Sequence, residues 1–222
     1  GMVKGAYDYR VKRITLRFPN LPAAFDGFKM LQISDMHTGS FTSTEPLKEA
    51  VNLINQPEAD LVFFTGDLVN NVATELMPHV DTLKEIRAKQ GVFSVLGNHD
   101  YGDYVSWESR EAKTQNLQTL VETQRRMVWD VLLNENRRIE KDGEHISILG
   151  VENWGNRAGF PKYGDLSKAY TGAEDSPFKV LLSHDPSHWD GEINQKYDDI
   201  DLTLSGHTHG MQFGVNIPGL KW

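Results

Sequence analysis

Five short blocks place cation-binding groups at the ends of apolar runs, and this repeated ending constrains the fold more than any other feature of the chain. The blocks are Asp35-Met36-His37, Gly66-Asp67, Gly97-Asn98-His99-Asp100, His184 and Gly206-His207-Thr208-His209, which together hold three Asp, one Asn and five His. The runs are 28–34, 61–65, 92–96, 178–183 and 201–205. Each reads as a short buried strand that delivers its block at the carboxyl end. No structural need explains why strand after strand should end this way. Carboxylate, amide oxygen and imidazole together suit Mn, Fe or Zn, and the number of groups suits two ions.

Between these runs the pattern turns helical. A helix is expected over 44–56, with Thr44 or Ser43 as cap, Pro46 in the first turn and Pro57 at its end. A second, over 74–89, carries Leu76, Val80, Leu83 and Ile86 on one face and closes at Gly91. The longest is expected over 107–135, where Leu117, Leu120, Val121, Met127, Val128, Val131 and Leu132 form a stripe. Ile14, Leu16 and Phe18 alternate with polar residues as a half-buried strand would, and 138–141 with 145–150 reads as a hairpin across Asp142-Gly143. The stretch 153–176, rich in Gly, Asp, Lys and Tyr, reads as a long loop with one helical turn. Strands alternating with helices give an α/β architecture whose ligands bind at strand carboxyl ends.

Composition narrows the chemistry. A chain of 222 residues suits one domain over 1–222, with ordinary fractions of charged (24%) and hydrophobic (39%) residues. The absence of cysteine excludes a cysteine nucleophile, a thiolate zinc site and any disulfide. A formal net charge of −8, with no basic stripe interleaved with aromatics, disfavours a nucleic-acid partner. No run approaches the roughly 18 apolar residues of a membrane span, and no signal peptide is evident, so the chain as given reads as soluble. Gly1 ahead of Met2 reads as an appended start. No Gly-x-Ser-x-Gly elbow is present. Gly97 to Gly102 opens like a phosphate-binding loop, but Asp103 stands where Lys is required.

The ordered pattern D-x-H, G-D, G-N-H-[DE], H, G-H-x-H resembles the calcineurin-like metallophosphoesterases from about residue 29 to 210. Within them, Gly97-Asn98-His99-Asp100-Tyr101 and His184-Asp185-Pro186 resemble the bacterial membrane-associated phosphodiesterases. The resemblance implies a four-layer sandwich of two mixed β-sheets flanked by helices. It also implies a C-terminus that is truncated or partly ordered, since the family continues with further strands and only 210–222 remain. Carried onto this chain, Asp35, His37 and His209 hold one ion, Asn98, His184 and His207 hold the other, and Asp67 bridges them. The cofactors implied are two divalent or mixed-valence ions drawn from Mn, Fe and Zn. A water shared by ions roughly 3.5–4 Å apart loses a proton near neutral pH and attacks phosphorus. His99 is implied as a non-metal histidine that stabilises phosphoryl oxygens or protonates the leaving alkoxide, and Asp100 as the group orienting it.

The function expected is hydrolysis of a phosphodiester, phosphomonoester or pyrophosphate bond in a substrate linked to a lipid or a nucleotide. Membrane association would come through segments absent from this chain. The alternatives are a nuclease and a non-catalytic metal-binding scaffold. His79 and His145 read as surface residues. His188 follows His184 by four residues, yet Pro186 argues against a continuous helix, which leaves it a pocket wall beside Trp189. Further walls are expected from 101–107 and 153–176, with Arg157, Lys162 and Lys168 available to a second phosphate or a carboxylate.

Overall fold

A computed structural model describes residues 9–155 and 162–208. Two four-stranded sheets form its centre. The first runs β1 (Met30–Ile33), β2 (Leu61–Phe64), β3 (Val92–Ser94), β4 (Trp129–Val131) in spatial order, and every pair in it is parallel. The second runs β5 (Glu135–Lys141), β6 (Glu144–Gly150), β7 (Lys179–Leu182), β8 (Leu202–Leu204). It is mixed, because the β5–β6 hairpin is antiparallel and the β6–β7 and β7–β8 pairs are parallel. The hairpin turns at Asp142-Gly143, both with positive φ, as the sequence predicts.

The residues of β2 show why the sheets stack. Leu61 and Phe63 face the second sheet and join Phe93, Ile146, Ile148, Val180 and Leu182. Val62 and Phe64 face the opposite way, against Leu47, Val51 and Ile54 of α1 (Glu45–Asn55), Leu83 of α2 (Val80–Leu83) and Leu120 of α3 (Arg110–Arg126). A strand buried on both faces reads as a continuous apolar run. On the far side, Leu149 and Leu181 meet Leu166 and Ala169 of α4 (Leu166–Tyr170), with Ile193 and Ile200. The order is helix, sheet, sheet, helix.

Four expectations change. The segment holding Ile14 and Leu16 forms no strand: these side chains are 68% and 53% exposed, and Phe18 alone packs inward, edge-on to Phe178 at 4.9 Å. The helix expected over 74–89 breaks into single turns and the four-residue α2, because Pro78 lacks the N–H a helix interior needs. Glu75 instead takes the N–H groups of Asn70 and Asn71 at 2.6 and 3.2 Å. The long helix stops at Arg126: Val128 turns into the left-handed region (φ 66°) and the next three residues become β4. His79 is buried, with its ring against Phe41. The C-terminus expected to be truncated or partly ordered, 210–222, lies outside the described residues.

Candidate metal centre

The site assembles where strands of both sheets end. Asp35 and His37 follow β1, Asp67 follows β2, the Asn98–Tyr101 turn follows β3, His184 follows β7 and His207 follows β8. Four of these side chains leave left-handed backbone, with φ of 52° at Asp35, 48° at His37, 58° at Asp67 and 71° at His207. Asp, Asn and His are the non-glycine residues that tolerate this region best. Glycines let the loops close on one another. A Cβ on Gly66 would lie 2.7 Å from His184 Nδ1, and one on Gly97 would lie 2.6 Å from the Asp67 nitrogen.

Asp67 is the hub. Its Oδ1 accepts the His99 backbone N–H at 2.9 Å, and its Oδ2 lies 3.1 Å from His184 Nε2 and 3.8 Å from His37 Nε2. Two groups share it: His37, Asp67 and His99, and Asp67, His184 and His207, each with its ligand-type atoms within 4.8 Å of one another. Asn98 Oδ1 joins the second, 3.2 Å from His184 Nε2 and 2.9 Å from His207 Nδ1. Asp35 lies beside it, both oxygens accepting the His207 backbone N–H at 3.0 Å. His209 lies outside the described residues, as does Arg157.

The donor chemistry fits divalent cations. His184 donates its Nδ1–H to the Thr65 carbonyl at 2.7 Å, and His99 donates its own to the Asn70 carbonyl at 2.7 Å. A ring held by a backbone carbonyl on one nitrogen is how proteins aim the other nitrogen at a metal. Around His184 Nε2 the lone pairs of Asp67 and Asn98 converge, so a proton or a cation must lie among them. Burial disfavours the His184 cation, yet its hydrogen bond and charge attraction to Asp67 outweigh burial and push it up to about 9. Burial likewise opposes charge on Asp67, but the same contact holds it below the usual carboxylate range. A divalent ion offers that carboxylate more positive charge than the proton does.

Asp100 does not orient His99. Its buried carboxylate accepts backbone N–H groups from Asp67 (3.0 Å), Leu68 (2.8 Å), Val69 (3.2 Å) and Gly97 (2.9 Å), stapling one ligand-bearing loop to the next. Burial, then the charge of Asp67, push it up to about 7. The orienting role belongs to the Asn70 carbonyl, a main-chain acceptor that no side-chain pattern reveals. Gly66-Asp67 three residues upstream is the only sequence signal pointing there.

His188 is fully buried, stacked on Trp154 at 4.4 Å and bonded to Ser183 and Glu192. It is packing behind the site, not an exposed wall, while Trp189 beside it is exposed. Lys162 lies over the Trp154 ring, 4.1 Å from its centroid. Lys168 sits in α4, and its backbone N–H is capped by Asp165 at 3.0 Å.

A family model for the calcineurin-like phosphoesterases matches residues 28–211. The chain belongs to this family. It is 31% identical over 209 residues to the uncharacterized metallophosphoesterase YkuE of Bacillus subtilis, covering 92% of this chain and 66% of that protein. A transmembrane protein with metallophosphoesterase domain from Danio rerio is 27% identical, covering 96% of this chain and 47% of its own length. The chain thus spans about half to two thirds of the length of these relatives. The UDP-2,3-diacylglucosamine pyrophosphatase LpxG of Chlamydia trachomatis is 28% identical, over 94% of this chain and 71% of that protein. Among solved structures, the NAD nucleotidase of Haemophilus influenzae shares the fold, with a TM-score of 0.56 at 18% identity over 82% of this chain and 38% of that one. Among the described residues, no helix is long and apolar enough to cross a membrane.

Proposed function

We propose that this chain is a dinuclear metal-dependent phosphoesterase that hydrolyses a phosphodiester, phosphomonoester or pyrophosphate bond. The observation that carries the reading is the sharing of Asp67 by two groups of ligand-type atoms, one including His37 and the other His184 and His207. Asp35, His37 and His209 would hold one ion, Asn98, His184 and His207 the other, and Asp67 would serve both. Bound there, two divalent ions supply Lewis acidity and a nucleophile at neutral pH.

The residues of the chain do the rest. Asn98 contributes a neutral oxygen, which leaves its ion more electrophilic than a further carboxylate would. His99, with Nδ1–H fixed on Asn70, has Nε2 to carry the proton that reaches the leaving alkoxide. A second reading has its own support: His99 stands within the group of His37 and Asp67, which suits a ligand. A pyrophosphate-linked lipid substrate and a membrane setting are supported by the names of the Chlamydia and Danio relatives. The test is hydrolysis of bis-p-nitrophenyl phosphate with added Mn²⁺, together with metal analysis of the purified protein. Two equivalents of metal and metal-dependent turnover are expected. Metal binding without turnover toward phosphodiesters, nucleotide sugars or lipid phosphates would leave the scaffold alternative standing.

A further inference from the structure

The Asn98 side chain presents a problem that the other ligand candidates do not. An amide has two ends of the same shape and opposite polarity, and only the oxygen end can bind a cation. Something must hold the oxygen inward. On the oxygen side lie His184 Nε2 and His207 Nδ1. On the nitrogen side, Asn98 Nδ2 donates to the hydroxyl oxygen of Tyr104 at 2.7 Å.

Tyr104 is 46% exposed, so packing alone does not place it there. The turn that carries it is built. Gly102 turns the chain in the left-handed region (φ 68°), and Trp107 Nε1–H donates back to the Gly102 carbonyl at 2.7 Å. Asp103 is paired with Lys113 of α3. These ties fix the turn on both sides of Tyr104. The Tyr104 ring also lies 4.5 Å from the His99 ring, tilted by 34°, while His37 meets His99 edge-on at 4.8 Å.

We propose that Tyr104 is a positioning residue that fixes the Asn98 amide with Oδ1 toward the metal site, leaving its own hydroxyl hydrogen directed away from Asn98. The proposal rests on the reading of Asn98 as a ligand. Without the Tyr104 hydroxyl the amide loses the acceptor that Nδ2 has among the described residues and turns over, and the ion it serves is held less well. Groups that orient a metal ligand in this way are typically worth about 10–100-fold in metal affinity.

The test is Tyr104→Phe, which keeps the ring and removes the acceptor. Mn²⁺ is titrated into wild type and variant by calorimetry, with thermal melts and with kcat and KM on bis-p-nitrophenyl phosphate. The expected result is an unchanged melt and one Mn²⁺ bound as in wild type. The other Mn²⁺ binds about tenfold less well, and kcat falls with KM nearly constant. Asn98→Asp supplies the control, because a carboxylate has two equivalent oxygens and no wrong way round. On that background Tyr104→Phe should change Mn²⁺ affinity far less, a coupling read from the double-mutant cycle. Wild-type affinity for both ions in Tyr104→Phe overturns the proposal and leaves the metal site intact. So does an equal loss on the Asn98→Asp background. Wild-type protein that binds fewer than two Mn²⁺ overturns the site itself and the proposal with it.

Discussion

His184 and His188 stand four residues apart after the same strand, and both are fully buried, yet their surroundings are opposite. His188 has a partner on each nitrogen: the Ser183 hydroxyl at 2.9 Å on Nδ1 and Glu192 Oε2 at 3.2 Å on Nε2. The hydroxyl can donate or accept, so every proton is accounted for within the cluster, and Trp154 Nε1–H adds a bond to the same Glu192 oxygen at 3.1 Å. Burial pushes His188 down to about 4 despite Glu192. A neutral His184 spends its one N–H on Thr65, and its other nitrogen meets two oxygens that also carry lone pairs, so a proton or a cation is needed there. Burial does not separate a candidate metal-binding histidine from a packing one. An excess of acceptors does.

Substitutions can break or sharpen that contrast. The largest effect is expected from Asp67→Asn, which removes the shared charge while keeping the shape: turnover and both equivalents of metal should be lost from a protein that stays folded. Loss of soluble protein with metal still bound would move Asp67 to the packing side of the comparison. His99→Ala should follow, with turnover lowered about 10²–10⁴-fold and metal content kept. The loss should shrink for p-nitrophenolate leaving groups, which need no proton. A drop in bound metal instead would make His99 a ligand.

His188→Gln should leave turnover per folded molecule far less affected than His99→Ala does, and it should lower stability by about 1–3 kcal/mol through the partners it leaves unsatisfied. The pH profile sharpens this further. An unfolded histidine titrates near 6.5, and folded His188 near 4, so between those values the unfolded chain binds more protons. Its contribution to stability is therefore complete above pH ~6.5, falls as the pH drops, and is gone below about 4. Melting temperatures across that window should slope in wild type and flatten in His188→Gln; an unchanged slope would assign the acid sensitivity to another group. The smallest effect is expected from His145→Ala, on the solvent side of the β5–β6 hairpin, within about 0.5 kcal/mol and without change in turnover.

Much of this was legible in the sequence because the site lies where strands end, and strands announce themselves. Leu61 to Phe64 can be little else than a buried strand, and Asp142-Gly143 between apolar runs can be little else than a hairpin turn. The errors arose where one residue overrules a pattern. Met127, Val131 and Leu132 fit a helical stripe, but Val128 reverses the chain and places Val131 in β4, with Met127 before that strand and Leu132 after it. Pro78 was visible, yet Leu76, Leu83 and Ile86 still reach the core from broken turns, so the stripe survived without the helix. His79, flanked by Pro78 and Val80, reads as surface until Phe41 of a distant loop covers it. What the sequence could not give were the main-chain acceptors, Thr65 and Asn70, and the use of Asp100 as a staple. Those depend on which loops lie side by side.

The left-handed backbone at Asp35, His37, Asp67 and His207 has a consequence for anyone engineering this chain. A left-handed residue other than glycine costs on the order of 1–2 kcal/mol. Glycine would relieve that cost at His37, whereas at Asp35 and Asp67 it would also remove the acceptors of the His207 and His99 N–H groups. A screen for thermostability alone would therefore be drawn to His37 first, and there heat resistance and a candidate metal ligand pull in opposite directions.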